Sequence, residues 1–211
     1  MDDRLPTKER IVRCALDLFS SKGYSETTIR DIALEVDLNP ASLYYHFPSK
    51  EDVLKYILAD YIEYTRTMFH KQNLIEILKE NPTPEGISMC IMSCLSVLTG
   101  DWYYMKLLRM IHQEQHRIEQ FRDTVLRRFQ ETESYIERVF DALKSLNLIE
   151  SDTDPTYWKV SVSSLMYAFS NRLALSDWKD SQYNISIDIT DMFICLFDML
   201  LKLHGVQNQS G

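Results

Sequence analysis

A short stretch near the N-terminus, from Thr28 to Lys50, carries side chains that could read DNA. Pro40 suits the first position of a helix, and Pro48 ends that helix after about two turns. At 3.6 residues per turn Leu43 and Phe47 point inward, so small, hydroxyl and aromatic side chains point outward. A two-helix unit whose second helix has such outward side chains is typical of a helix-turn-helix. That motif inserts its second helix into the major groove of DNA.

The segment before this helix predicts the element that positions it. Apolar residues recur at helical spacing, and they are Ile29, Ile32, Ala33 and Val36. Thr28 and Asp31 have the spacing of a capping box, with Asp in place of the usual Glu. Asp37 and Asn39 are turn formers, so the sequence predicts a helix, a tight turn and a short second helix.

The stretch TTIRDIALEVDLNPASLYYHFPSKEDVL resembles the DNA-binding domain of the TetR family of bacterial transcriptional regulators. The preceding RIVRCALDLFSSKGYSETT fits the first helix and loop of that family: Thr7 would cap a helix from Lys8 to about Lys22, and Gly23 would end it. The chain departs from the family at Asp37, where Gly is usual. Because Asp tolerates a positive φ better than most residues, we expect the turn to survive.

The resemblance implies a transcriptional regulator, most often a ligand-responsive repressor that binds a palindromic operator as a homodimer. It also implies phosphate contacts for Lys50, which follows a predicted helix start at Ser49, and for Tyr44. Five residues lie on or beside the groove-facing side of this unit and are candidates for contacts with base edges, and these are Arg30, Asn39, Ala41, Ser42 and Tyr45. The full predicted DNA-contacting set is Thr28, Arg30, Asn39, Pro40, Ala41, Ser42, Tyr44, Tyr45, His46 and Lys50.

The remaining sequence predicts an all-α protein with an N-terminal three-helix head, residues 1–50, and a helical ligand-binding and dimerisation body, residues 51–211. Gly and Pro are scarce, at 5 and 6 residues, and the apolar pattern is helical almost throughout. The formal net charge is −8, and residues 1–56 contain 8 Lys and Arg against 10 Asp and Glu. DNA binding must therefore depend on where a few cations lie rather than on bulk charge.

The last predicted helix, about residues 186–204, is apolar in nearly every direction. Its apolar residues are Ile189, Met192, Phe193, Ile194, Leu196, Phe197, Met199, Leu200, Leu201 and Leu203. A helix apolar all round must be covered on both sides. We therefore predict a homodimer in which this helix and the helix around residues 158–173 form a four-helix contact, as the resemblance also implies.

Methionine and aromatic residues are dense in the predicted body, which favours an apolar or aromatic small-molecule effector. Each such side chain is also an ordinary core residue, and the resemblance is what implies a cavity among them. The predicted ligand-binding set is Tyr64, Met68, Met92, Trp102, Tyr103, Met110, Phe129, Phe169 and Arg172.

Other reactive side chains support only weak alternatives. His112 and His116 share a helix face, but the sequence forces no third metal ligand near them. Cys90 and Cys94 could form a thiol sensor, although small buried residues explain them as well. No nucleophile elbow, phosphate-binding loop, dinucleotide-binding glycine motif or carboxylate pair is present, so we expect no enzyme, no cofactor and no bound metal.

Two rival classes remain: a helical protein-interaction module and a small-molecule enzyme without DNA binding. Either would lack salt-sensitive, sequence-selective binding to an upstream intergenic fragment. The N-terminus is charged and has no apolar run, and residues 192–203 are too short and too interrupted to span a bilayer. We therefore expect a cytoplasmic protein with no membrane partner.

Overall fold

The computed structural model describes residues 5–70, 73–83, 85–90, 102–175, 191–199 and 202. Every regular element among them is helical, which confirms the all-α prediction. The helices are α1 (Thr7–Lys22), α2 (Ile29–Glu35), α3 (Pro40–His46), α4 (Lys50–His70), α5 (Leu74–Glu80), α6 (Trp102–Glu114), α7 (Glu119–Ser145) and α8 (Thr156–Leu175). Residues 85–90 and 191–199 are helical too.

The chain divides into two compact units. The first contains Met1–Tyr64 and Trp102–Arg127, and the second contains Thr65–Asp101 and Arg128–Gly211. This division differs from a boundary after residue 50, because most of α4, all of α6 and the first turns of α7 belong to the first unit. The predicted domain boundary itself stays a prediction.

Helix α1 packs against α2 and α6 in the first unit. Ile11, Ala15 and Phe19 are buried on its inner face, whereas Leu18 is only half-buried. The helix begins one residue earlier than predicted: Thr7 is its first residue, and no side chain caps its start. Gly23 ends it at a φ of 93°, and the Gly23 N–H donates to the Phe19 carbonyl over 3.1 Å.

The second unit contains the larger part of α7 and all of α8. Just beyond the end of α7, Asn147 has a φ of 57°, and the Leu148 N–H donates back to the Leu143 carbonyl over 2.9 Å. This bond closes the helix with a Schellman motif, in which a left-handed residue turns the chain away. At the start of α8 the carboxylate of Asp154 accepts from the Thr156 N–H over 2.9 Å, which caps this end of the helix.

No helix in the described parts of the chain is both long enough and apolar enough to cross a bilayer.

Candidate nucleic-acid interface

Helix α2 begins with the reciprocal cap that the sequence predicts. The Thr28 hydroxyl accepts from the Asp31 N–H over 3.1 Å, and the Asp31 carboxylate accepts from the Thr28 N–H over 2.8 Å. The Thr28 backbone N–H, followed by its hydroxyl, lowers the pKa of Asp31 below its usual value, because both donate to the charged carboxylate. The cap fixes where α2 starts although both residues lie at the protein surface.

The turn between α2 and α3 is a Schellman motif. Asp37 adopts a left-handed φ of 56°, which confirms that Asp replaces the Gly usual in this turn. The Leu38 N–H donates to the Ala33 carbonyl over 2.8 Å, and the Asp37 N–H donates to the Leu34 carbonyl over 3.2 Å. These two bonds satisfy the last carbonyls of α2 and set the direction in which the chain enters α3.

Helix α3 presents its outer face to solvent. The Asn39 side chain accepts from the Ser42 N–H over 2.8 Å, so Asn39 is the N-cap and Pro40 is the first helical residue. Leu43 is fully buried, whereas 86% of Tyr45 is exposed. The predicted inward and outward faces of this helix are therefore confirmed.

The predicted DNA-contacting residues of α2 and α3 are mostly at the surface. Exposed members of the set are Thr28, Arg30, Asn39, Pro40, Ala41, Tyr44 and Tyr45, while Ser42 and His46 are half-buried. The ring of His46 meets that of Tyr45 edge-on, with centroids 5.4 Å apart. The contacts of these residues with DNA stay predictions.

Lys50 has partners that the sequence does not reveal. Its ammonium donates to the carbonyls of Tyr24 and Thr27 over 2.8 Å each, and to that of Ser25 over 3.4 Å. It also lies 4.3 Å from the centroid of the Tyr24 ring. Burial lowers the pKa of Lys50, against an opposing effect of the Glu26 carboxylate. The predicted phosphate contact stays a prediction, but the ammonium is engaged within the protein.

Two further cations stabilise the head, and the sequence did not indicate that their side chains form contacts within the protein. The Arg10 guanidinium donates to the Val36 carbonyl at the end of α2 over 3.0 Å. The Lys8 ammonium lies 4.1 Å from the ring centroid of Tyr56 and 5.4 Å from that of Phe47. Neither pairing leaves a local signal, because the partners are distant along the chain.

The predicted effector-site residues fall into separate groups. In the first unit Tyr64 stacks on Tyr104 with ring centroids 3.8 Å apart, Tyr103 is half-buried and Met110 is buried. In the second unit the ring of Phe129 lies 5.4 Å from that of Tyr167, Phe169 is buried and Arg172 is exposed. Met92 and the side chains of Met68 and Trp102 lie outside the described residues.

The alternative reactive sites gain no support where the structure describes them. The described residues contain no group of three or more potential metal-ligating side chains. Burial lowers the pKa of His112 to about 4, and His116 is exposed. Cys90 is buried, and Cys94 lies outside the described residues.

A capped helix, a tight left-handed turn and a short helix with an exposed outer face define a helix-turn-helix DNA-binding unit. Residues 11–57 match the family described as "Bacterial regulatory proteins, tetR family". Over these residues the chain is therefore similar to the DNA-binding domain of the TetR family.

Curated relatives are similar to part of the chain. The protein is 38% identical over 80 residues to the biofilm operon icaADBC HTH-type negative transcriptional regulator IcaR of Staphylococcus aureus, covering 38% of this chain and 39% of that relative. It is 26% identical over 112 residues to the probable HTH-type transcriptional regulator YttP of Bacillus subtilis, covering 53% of this chain and 51% of YttP. The matches thus span 39% and 51% of the length of these relatives.

Solved structures extend the similarity of fold to nearly the whole chain. GusR of Salmonella enterica superposes with a TM-score of 0.67 at 21% identity, covering 96% of this chain and 98% of GusR. The SmeT–triclosan complex superposes with a TM-score of 0.68 at 14% identity, covering 90% of each chain. The fold of this chain is thus similar to the folds of GusR and SmeT well beyond the residues that match the family model.

Proposed function

We propose that the protein is a ligand-responsive transcriptional repressor that binds a palindromic operator as a homodimer. The observation that carries this proposal is the exposed outer face of α3. This face includes Tyr45, and the helix is fixed by its Asn39 cap and by the turn that joins it to α2. Repression rather than activation is supported by the name of IcaR, a negative transcriptional regulator.

Base recognition in this proposal depends on α3 and on one arginine of α2. Ala41 and the Tyr45 ring are apolar enough to contact thymine methyl groups, and neither offers a bidentate pair for guanine. Arg30 is exposed and long enough to reach a base edge or a narrow minor groove. Tyr44, which is 51% exposed, would contact a phosphate from the flank of α3.

Dimerisation would use an exposed stripe on α8. The exposed residues of that helix recur at intervals of three or four, and they include Tyr157, Val160, Ser164, Ala168, Asn171 and Leu175. Tyr157 is 71% and Leu175 is 81% exposed, which is costly for side chains of this size in a lone subunit. The small residues in the middle of the stripe would let a second helix approach closely.

The helix formed by residues 191–199 supports the same interface. Phe193 and Phe197 are fully buried against their own subunit, while Met192 and Met199 are 47% and 59% exposed. The helix thus has one covered and one uncovered apolar side, as the dimer requires. The partner subunit's copies of this helix and α8 would complete a four-helix contact.

The proposed effector is an apolar or aromatic small molecule bound in the helical body. Two separate ring pairs, Tyr64 with Tyr104 in the first unit and Phe129 with Tyr167 in the second, each supply flat apolar surface of the kind that such a ligand needs. The complex of SmeT with triclosan supports an aromatic ligand for this fold. To release DNA, the effector must bind the DNA-free conformation more tightly than the DNA-bound one.

A gel-shift titration tests the proposal. The probe is the intergenic fragment upstream of the protein's own gene, and the competitor is a random duplex of equal length. Selective binding that weakens with rising salt is expected, and its absence would leave the interaction-module and enzyme alternatives. Mass spectrometry of small molecules that copurify with the protein tests the effector separately.

A further inference from the structure

We propose that Tyr24 and Lys50 position the recognition helix, and that Phe121 of α7 holds them in place. These residues, together with Phe19, are called the Tyr24 cluster. All four belong to the first compact unit. The inference rests on the proposed DNA binding, and it assigns to Tyr24 and Phe121 a role in that binding although neither is expected to contact DNA.

The ammonium of Lys50 ties down the loop between α1 and α2. An ammonium has three N–H groups, and the carbonyls of Tyr24, Ser25 and Thr27 provide three acceptors for them. Thr27 is fully buried, and its hydroxyl donates to the Gly23 carbonyl over 2.8 Å. The loop therefore obtains its fixed shape from a side chain 23 to 26 residues further along the chain.

The ring of Tyr24 packs against two further aromatic rings. It meets Phe19 of α1 edge-on at 5.1 Å and Phe121 of α7 edge-on at 6.2 Å, between ring centroids. The Lys50 ammonium lies over the same ring, which is a favourable cation–π geometry. The Tyr24 ring thus contacts side chains of three helices, α1, α4 and α7. Because of these contacts, a shift of α7 would displace the loop between α1 and α2.

The loop leads directly into the DNA-reading element. Its last residue, Thr28, is the N-cap of α2, and the Schellman turn at Asp37 joins α2 rigidly to α3. A displacement of the loop would therefore move Tyr45 relative to the DNA groove. A second contact supports the link, since the Gln120 amide of α7 donates to the Glu51 carboxylate of α4 over 3.2 Å.

Hydrogen exchange and DNA binding together test the role of the cluster. The variants are Tyr24→Leu and Phe121→Leu, which remove one ring each. Tyr24→Phe keeps the ring, and Leu126→Ala on α7 is a matched control because Leu126 is 53% exposed. Amide exchange of residues 24–36 is measured without DNA, with helicity and thermal melting recorded for each variant.

Faster exchange in residues 24–36 is expected for both ring-removing variants and for neither control. If the competent loop geometry falls to about a tenth of the population, the apparent Kd for the operator fragment rises about tenfold. The slope of log Kd against log salt should not change, because no phosphate contact is removed.

The proposal is wrong if the amides of residues 24–36 exchange in both ring-removing variants at the same rate as in the wild-type protein. It is also wrong if both variants bind the operator with unchanged affinity. A smaller salt slope for Tyr24→Leu would identify a lost phosphate contact and would overturn it too. If the wild-type protein itself binds no duplex selectively, the proposed function fails. The exchange experiment would still decide whether the cluster positions α2.

Discussion

The carboxylate of Asp31 and the backbone N–H of Thr28 lie 2.8 Å apart, at the point where the first helix of the DNA-reading element begins. Because the bond favours the charged carboxylate, the pKa of Asp31 is lowered in the folded state. The resulting stabilisation is complete above the unfolded value of about 3.9 and is lost as pH falls through the lower folded value. NMR titration of the side-chain carboxyl of Asp31 should give a pKa below the unfolded value of about 3.9, and Thr28→Val should raise that pKa.

Removing the Asn39 cap should destabilise α3. Asn39→Ala deletes the acceptor for the Ser42 N–H and should cost about 1 kcal/mol in the free energy of unfolding. Asn39→Asp is the matched control, because Asp caps equally well and should restore stability. Urea denaturation of both variants measures the difference, and equal midpoints for Ala and Asp would contradict the assigned cap.

Truncating Tyr45 should weaken operator binding selectively. Tyr45→Ala should cost about 1–3 kcal/mol on the operator and less on random DNA, because the ring is proposed to touch base edges. Leu34→Ala is the control, since Leu34 on α2 is 82% exposed but lies outside the predicted contact set. Equal losses on both duplexes would show that Tyr45 contacts only the backbone.

Replacing Lys50 separates its two possible roles. Lys50→Met keeps the length of the side chain and removes the ammonium that holds the loop carbonyls. The positioning role predicts a larger loss of affinity for the operator than for random duplex, with an unchanged salt slope. The family resemblance instead implies a phosphate contact, whose loss would reduce the slope by roughly one per subunit. Titrations at several salt concentrations decide between the two.

A charge placed in the α8 stripe should disrupt the dimer. Ala168 is exposed midway along α8, so Ala168→Arg would put two like charges near each other across the proposed two-fold axis. Light scattering after size exclusion should then show a monomer, with the wild type at twice that mass. Ser151→Arg, which adds the same charge in an exposed loop, should remain dimeric. A monomeric wild type at micromolar concentration would refute the interface.

The sequence by itself determined the local elements of the head. The Thr28–Asp31 cap, the left-handed Asp37, the Asn39–Pro40 start of α3 and the burial of Leu43 all depend on residues within one or two helical turns. Capping bonds, turn conformations and helical faces are short-range, so residue types at fixed spacing suffice to predict them.

Only the tertiary structure decided which distant groups meet. Lys50 lies at a helix start, which by local rules favours a phosphate, yet its ammonium donates hydrogen bonds to carbonyls 23 to 26 residues away. Tyr24 gave no local signal, because its partners come from three different helices. Contacts of this kind depend on how helices pack, and hydrophobic burial, being non-directional, does not specify that packing from local spacing.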